Sequence, residues 1–255
     1  MIPLHDENPV SRPPIVTWMI IVACIGAYFL WQPTPLGDDT VEDVVFYVEN
    51  AAIPCELVEQ RPLDLVEVDA TFRLGHLEAC GVDDGRSAPA VPGKNVWLSA
   101  LVSMFLHGSL FHIGGNLLFL HVFGNNVEDR MGSLGFALFY LAGGAVGTAA
   151  HVALNADSTV PVVGASGAIA AVMGTYLVLY PHARVRTLIF MLVILFVELR
   201  AGILLLAWFV LQFFTDPNEG VAWGAHVGGF LFGVLVGLAL RAGSRSQPTY
   251  AYRYH

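Results

Sequence analysis

The chain has 255 residues, of which 55% are apolar and only 13% charged, with a mean hydropathy of +0.62. A soluble globular domain carries roughly 25% charged residues, so that class is excluded. The net charge is −9 and no basic stripe appears, which argues against nucleic acid as a partner.

Residues 1–14 read as a short polar tail. Uncharged stretches then run 15–31, 133–154, 166–180, 201–214 and 221–240, and 113–127 is broken only by His121 and three asparagines. A spanning helix needs about 20 apolar residues, with a range of roughly 17–25. The pattern predicts an all-α polytopic membrane domain over 15–242, with six spans, two of them short. No positive n-region with a small-residue cleavage site precedes 15–31, so it is kept as a span rather than a removed signal peptide.

Residues 32–96 form a long loop holding 13 of the 21 acidic residues, so most of the negative charge is local. Loops of that length usually fold or function, and its Val41–Val48 and Leu63–Val68 patches predict a subdomain on the membrane surface. The short loops and tails carry Arg12, Arg130, Arg184, Arg186, Arg200, Arg241, Arg245 and Arg253. Short-loop arginine marks the cytoplasmic side. Both termini, including a 243–255 tail, are therefore expected inside, and the 32–96, 155–165 and 215–220 loops outside. Residues 187–197 are apolar, but eleven residues make only about 16 Å of helix. An interfacial or re-entrant cytoplasmic piece is expected there. Cys24 lies in the first span. Cys55 and Cys80 share the outward loop, where a bridge and two separate thiols both stay open.

The run from Ser166 to Tyr180 is 15 residues, or about 22 Å of helix, against a hydrocarbon core of about 30 Å. Ser166 is thus expected below the outer surface, at the floor of a wet cavity, because irregular backbone at that depth must line water or be buried in protein. Ser166, Ala170 and Gly174 share one helix face. His226, Gly229, Gly233 and Gly237 share another. Small residues on both faces permit close approach, which would bring Ser166 and His226 together. Taken singly, the serine could be a small filler and His226 a satisfied core histidine. His112 and Asn116 lie one turn apart and point the same way. Polar groups in lipid default to function, and both can donate to an oxyanion. An interhelical hydrogen-bond network is the alternative, and His107 fits it. No cysteine or carboxylate joins these histidines, so no metal is expected.

These motifs together resemble the rhomboid intramembrane serine proteases of the minimal six-helix prokaryotic type. The matching residues are His107, His112 and Asn116 on helix two, Gly164-Ala165-Ser166-Gly167 before helix four, and Ala225-His226-Val227-Gly228-Gly229 with Gly233 and Gly237 on helix six. Glu128-Asp129-Arg130 resembles the family's Glu-x-Arg structural motif. Coverage runs from about Trp97 to Leu240. The resemblance implies a Ser166–His226 dyad without an acidic third member. It also implies an oxyanion site made by His112, Asn116 and the Ser166 backbone N–H. Gly164, Gly167, Gly229, Gly233, Glu128, Arg130 and His107 are supporting residues. It implies no cofactor, transmembrane protein substrates, a multi-pass location in the cell membrane, and access past helix five with 215–220 as a cap. Two departures stand out. Ala170 occupies a position where some members carry an aromatic that stacks on the histidine, so the orientation of His226 must come from elsewhere. The Trp-Arg pair often found before helix two is reduced to Trp97-Leu98-Ser99. A catalytically inactive rhomboid-like binding or quality-control protein would share the fold but usually lacks the serine or histidine. A small channel or transporter is the other class, though no carboxylate lies in any assigned span.

Overall fold

The computed structural model describes residues 1–33, 40–83, 87–190, 194–214 and 222–244. Strand β1 (Ile2–Asp6) leads into α1 (Ile15–Gly26), which widens to a π turn over Ala27–Trp31. Three short helices follow: α2 (Val41–Asn50), α3 (Pro54–Glu59) and α4 (Leu65–Phe72). Helix α5 (Val96–Val102) ends in a 3-10 turn at Ser103–Phe105 and bends by 79° into α6 (Leu110–Met131). Then come α7 (Ser133–Leu154), α8 (Ser166–Leu179), β2 (Arg184–Phe190), β3 (Ile194–Arg200), α9 (Ala201–Leu211) and α10 (Trp223–Ser244). Helices α7 and α10 are long and apolar enough to cross a membrane, and the bent α5–α6 pair makes a third candidate. Helices α1, α8 and α9 are apolar but shorter. Trp18, Val22, Leu138, Leu206 and Leu235 lie exposed around the bundle, an apolar belt suited to lipid.

Helix α8 is the axis of the molecule. Every residue from Gly167 to Tyr176 is buried, as a helix apolar on all sides must be. Its neighbours approach where side chains are missing. A Cβ on Gly229 would overlap the Gly167 carbonyl oxygen, one on Gly233 the Ala171 carbonyl, and one on Gly174 the Phe230 carbonyl. Thr175 Oγ1 adds a bond to the Gly233 carbonyl at 2.8 Å. Helix α7 closes the other side, where a Cβ on Gly143 would stand 2.6 Å from that of Ala171 and one on Gly147 would stand 2.9 Å from the Ala225 carbonyl.

The all-α expectation needs correction. The chain is mostly helical, but β1, β2 and β3 form a three-stranded antiparallel sheet at the C-terminal end of α8. In the 187–197 run, expected as an interfacial or re-entrant cytoplasmic piece, the described residues 187–190 and 194–197 are strand rather than helix. Their antiparallel register sets Arg186 opposite Glu198 and Thr187 opposite Val197. Val185, Thr187, Ile189, Ile194 and Val197 are β-branched and suit a pleated surface. Part of the 1–14 tail is likewise ordered, because Ile2–Asp6 pairs with β2. Buried Asp6 then accepts hydrogen bonds from Tyr176 Oη and Asn126 Nδ2, both at 2.7 Å. Its carboxyl is held above the usual range by burial, which outweighs the Tyr176 bond.

Residues 40–83 and 87–96 of the 32–96 segment form a folded layer at the opposite end of the bundle. Thr40 with Asp43, and Asp64 with Glu67, form capping boxes that start α2 and α4. Cys55 and Cys80 are joined in a disulfide beside buried Ile53 and Leu63. Lys94 Nζ pairs with buried Glu56 and donates to the Val48 and Ala51 carbonyls at 2.7 and 2.9 Å. The 215–220 segment and the tail beyond Ser244 lie outside the described residues.

Candidate active site

Helix α8 begins at Ser166, so the Ser166 N–H has no intrahelical carbonyl to meet. Gly164 brings the chain to it at φ +124°, a conformation that L side chains rarely adopt. A Cβ there would also lie 2.7 Å from His112 Nε2 and 3.6 Å from Asn116 Nδ2. The loop therefore passes directly against two polar side chains of α6. Those side chains are placed by the helix start. Ser109 caps α6 by accepting from the His112 N–H at 3.1 Å, and Asn116 follows one turn later. The amide nitrogen of Asn116 is buried and has no partner.

The tight α8–α10 crossing delivers His226 to the same place. Its Nε2 lies 2.8 Å from Ser166 Oγ. Its Nδ1 lies 2.6 Å from Gln212 Oε1, and the Trp208 ring packs against the imidazole with centroids 5.6 Å apart. Ser166 and His226 are both partly accessible. A cavity of about 20 Å³ abuts Ser166, walled by Met104, Gly144, Thr148, Val163 and Ala225. It has room for about one water.

The loop before Ser166 is braced from the outer layer. Ser103 Oγ accepts from the Ala52 N–H, the Ala52 carbonyl accepts from Val162 N–H at 2.7 Å, and the Ser103 carbonyl accepts from Gly164 N–H at 2.9 Å. Cys55 N–H and Thr159 N–H add bonds between the two segments. His107 is not part of the Ser166–His226 pair. It is fully buried, its backbone N–H and C=O are both held by the Gln32 amide, and its ring meets His112 edge-on at 5.2 Å. It sits in the bend between α5 and α6.

A serine hydroxyl bonded to an imidazole, beside a helix-start N–H and an unpartnered carboxamide donor, is the arrangement acyl transfer needs. The Rhomboid domain family model matches residues 94–243. The chain belongs to the rhomboid family. It is similar to the mitochondrial Rhomboid protein 1 of Saccharomyces cerevisiae, at 29% identity over 55% of this chain and 41% of that protein. It therefore spans less than half of the yeast protein's length. It is also similar to RHOMBOID-like protein 5 of Arabidopsis thaliana, at 23% identity over 98% of this chain and 76% of the relative. Family membership and the apolar helices mark it as a membrane protein.

Other features of this rhomboid domain follow from the same contacts. Glu128 is an N-terminal clamp for α1, accepting from Val16 N–H, Thr17 N–H, Thr17 Oγ1 and Ser133 Oγ at 2.7–2.9 Å. Arg130 reaches the Leu240 carbonyl of α10 at 3.3 Å. Ala170 presents no ring to His226, and Trp208 with Gln212 occupies that role from α9 and its terminal turn. Sequence reasoning missed both. The signal was there, since Gln212 is the one hydrogen-bonding amide in the apolar run 201–214. Trp97 is largely exposed.

Proposed function

We propose that this chain is an intramembrane serine endopeptidase that cuts transmembrane or membrane-proximal segments of other membrane proteins. The observation that carries the reading is the 2.8 Å contact between Ser166 Oγ and His226 Nε2 at the head of a buried helix. His226 takes the Ser166 proton as Oγ attacks the scissile carbonyl. The resulting oxyanion accepts from the Ser166 N–H, Asn116 Nδ2 and the His112 imidazole. His226 then returns the proton to the leaving amine. Water, deprotonated by His226, hydrolyses the acyl-enzyme and restores the serine. No metal or cofactor enters these steps.

The small cavity beside Ser166 favours a small side chain next to the cut. A substrate helix must unwind first, because helical hydrogen bonds shield its carbonyls, so helix-breaking residues near the cut are expected. Access from the bilayer passes α9. Six spans with both termini in the cytoplasm accord with six apolar helices and with arginines Arg12, Arg130, Arg184 and Arg241 at the sheet end. The Cys55–Cys80 bridge lies at the Ser166 end, as suits an outward, oxidising side.

Ser166→Ala tests the reading. The variant is expected to fold, to lose labelling by a fluorophosphonate, and to lose cleavage of a transmembrane test substrate. Wild-type turnover by this variant would end the serine-protease reading and favour an inactive, binding role.

A further inference from the structure

The far side of His226 determines which proton the ring holds. Gln212 is 8% exposed and sits in the 3-10 turn that closes α9. Its Nε2 donates to the Trp208 carbonyl at 3.0 Å. The opposite amide orientation would set an oxygen against that carbonyl oxygen, two acceptors face to face. The carboxamide is thus oriented from within its own helix, and Oε1 is turned to His226 Nδ1 at 2.6 Å. An amide oxygen only accepts. Nδ1 must therefore carry the hydrogen, and a neutral imidazole has only one. Nε2 is left with its lone pair toward Ser166 Oγ, 2.8 Å away.

We propose that Gln212 is a positioning residue that holds His226 in the Nδ1–H tautomer and fixes its ring plane, so that Nε2 is ready to accept the serine proton. This rests on the Ser166–His226 reading above. Trp208 and Gln212 are four residues apart and share a helix face, so one helix supplies both a packing wall for the ring and its tautomer anchor. When Nε2 takes the serine proton, both ring nitrogens become donors, and Oε1 still accepts from Nδ1–H. The amide is a neutral counterpart of the acid that orients histidine in a triad. It avoids placing a carboxylate at membrane depth, where ionised groups are expensive. The other titratable side chains whose charge reaches His226 are His112 on α6 and His151 on α7. Helices α8 and α9 contain no charged side chain.

The test compares Gln212→Met and Gln212→Glu with the full-length wild type in liposomes, with folding followed by thermal unfolding. Methionine keeps the length and removes the acceptor. It is expected to lower kcat by about 10- to 100-fold with KM little changed, the size of one lost hydrogen bond to a charged group. Glutamate restores an acceptor and adds negative charge beside the imidazolium. It is expected to recover part of the rate and to move the acid limb of kcat/KM to higher pH, which a purely structural role would not do. Separately from activity, 15N spectra of the His226 ring, assigned by difference with His226→Ala, are expected to show a neutral ring protonated at Nδ1 in wild type. In Gln212→Met they should show a mixture of tautomers. A wild-type ring protonated at Nε2 overturns the assignment, whatever the activity. So does an acid limb that stays in place in Gln212→Glu, or a Gln212→Met enzyme with wild-type kcat. Loss of the serine-protease reading would show instead as fluorophosphonate labelling that survives Ser166→Ala.

Discussion

Between α8 and α10, cohesion comes from atoms that are missing. Gly174, Gly229 and Gly233 let carbonyls and α-carbons touch, and along that stretch Thr175 adds a side-chain bond to the Gly233 carbonyl. In the 40–96 layer the opposite holds. Cohesion there comes from added polar groups: two capping boxes, the Lys94–Glu56 and Arg61–Glu67 pairs, and the Cys55–Cys80 bridge. The difference follows from the solvent. In lipid, apolar burial drives little association, so packing depends on close approach. In water, a small layer with a few buried side chains needs staples. Both regions grip the same loop. The helix trio fixes Ser166 from below, and Ala52 and Ser103 hold Val162 and Gly164 from the side.

The comparison breaks first at the glycine seam. Gly229→Val would drive a branched side chain into the Gly167 carbonyl, one residue after Ser166. Backbone cannot yield as a flexible side chain does. Overpacking a tight contact typically costs about 1–3 kcal/mol, occasionally more, and here the helices must separate. Cleavage is expected to disappear, with a large drop in the thermal unfolding midpoint. Gly26→Ala, which meets nothing within 4 Å, is the control and should behave as wild type. Equal activity in the two variants would show that the seam does not set the geometry of the site.

That seam was legible in the sequence because small residues at i, i+3 and i+4 leave a periodic trace. The meeting of Ser166 and His226 follows from it. Gly143, Gly144 and Gly147 leave the same kind of trace for α7, the third helix of the packing. The β-hairpin was missed for a different reason. An eleven-residue apolar run has no period that separates buried strand from helix, and what settles it is pairing with β1 from the far end of the chain. The capping boxes Thr40/Asp43 and Asp64/Glu67 are local and readable. The contacts of Ala52 with Ser103 and Val162 are not, because they join segments 51 and 110 residues apart. Gln212 is harder to read because a single neutral amide at the end of an apolar run carries no spacing that ties it to His226.

A smaller effect is expected when the outer layer alone is loosened. Cys80→Ser, or reduction, opens a cross-link with a sequence separation of 25. Such a link is worth about 3–4 kcal/mol in the chain-entropy picture. The helix trio does not depend on it, so the molecule should stay folded in the membrane. Proteolysis within 51–83 should accelerate, and cleavage should fall several-fold rather than vanish, because Ala52 then braces Val162 less firmly. Loss of activity as complete as in Gly229→Val would mean the layer is part of the site rather than a brace for it.

The smallest expected effect separates the two regions by pH. Glu67 is fully buried; burial pushes its carboxyl up, but Arg61 and the N–H groups of Gly81 and Asp64 more than offset this, and it sits below the usual range. A depressed carboxyl contributes stability that is fully present above its unfolded pKa, about 4.3. That stability is lost as pH falls through the lower folded value. Glu56 runs the other way: burial raises it more than Lys94 lowers it, so its protonation in acid relieves a cost. The layer should therefore soften only modestly below about pH 4.3, and the softening should centre on Glu67. Hydrogen exchange at the Gly81 amide, bonded to Glu67 Oε1 at 2.7 Å, reads it directly. Protection should hold from pH 7 to 5 and decline toward pH 3, after correction for the intrinsic exchange rate. The amides of α8 should stay flat, since that helix contains no carboxylate. Arg61→Gln should shallow the acid decline by removing the group that favours the ionised form. An acid response of equal size in α8 and at Gly81 would mean that the glycine seam and the polar layer open as one cooperative unit.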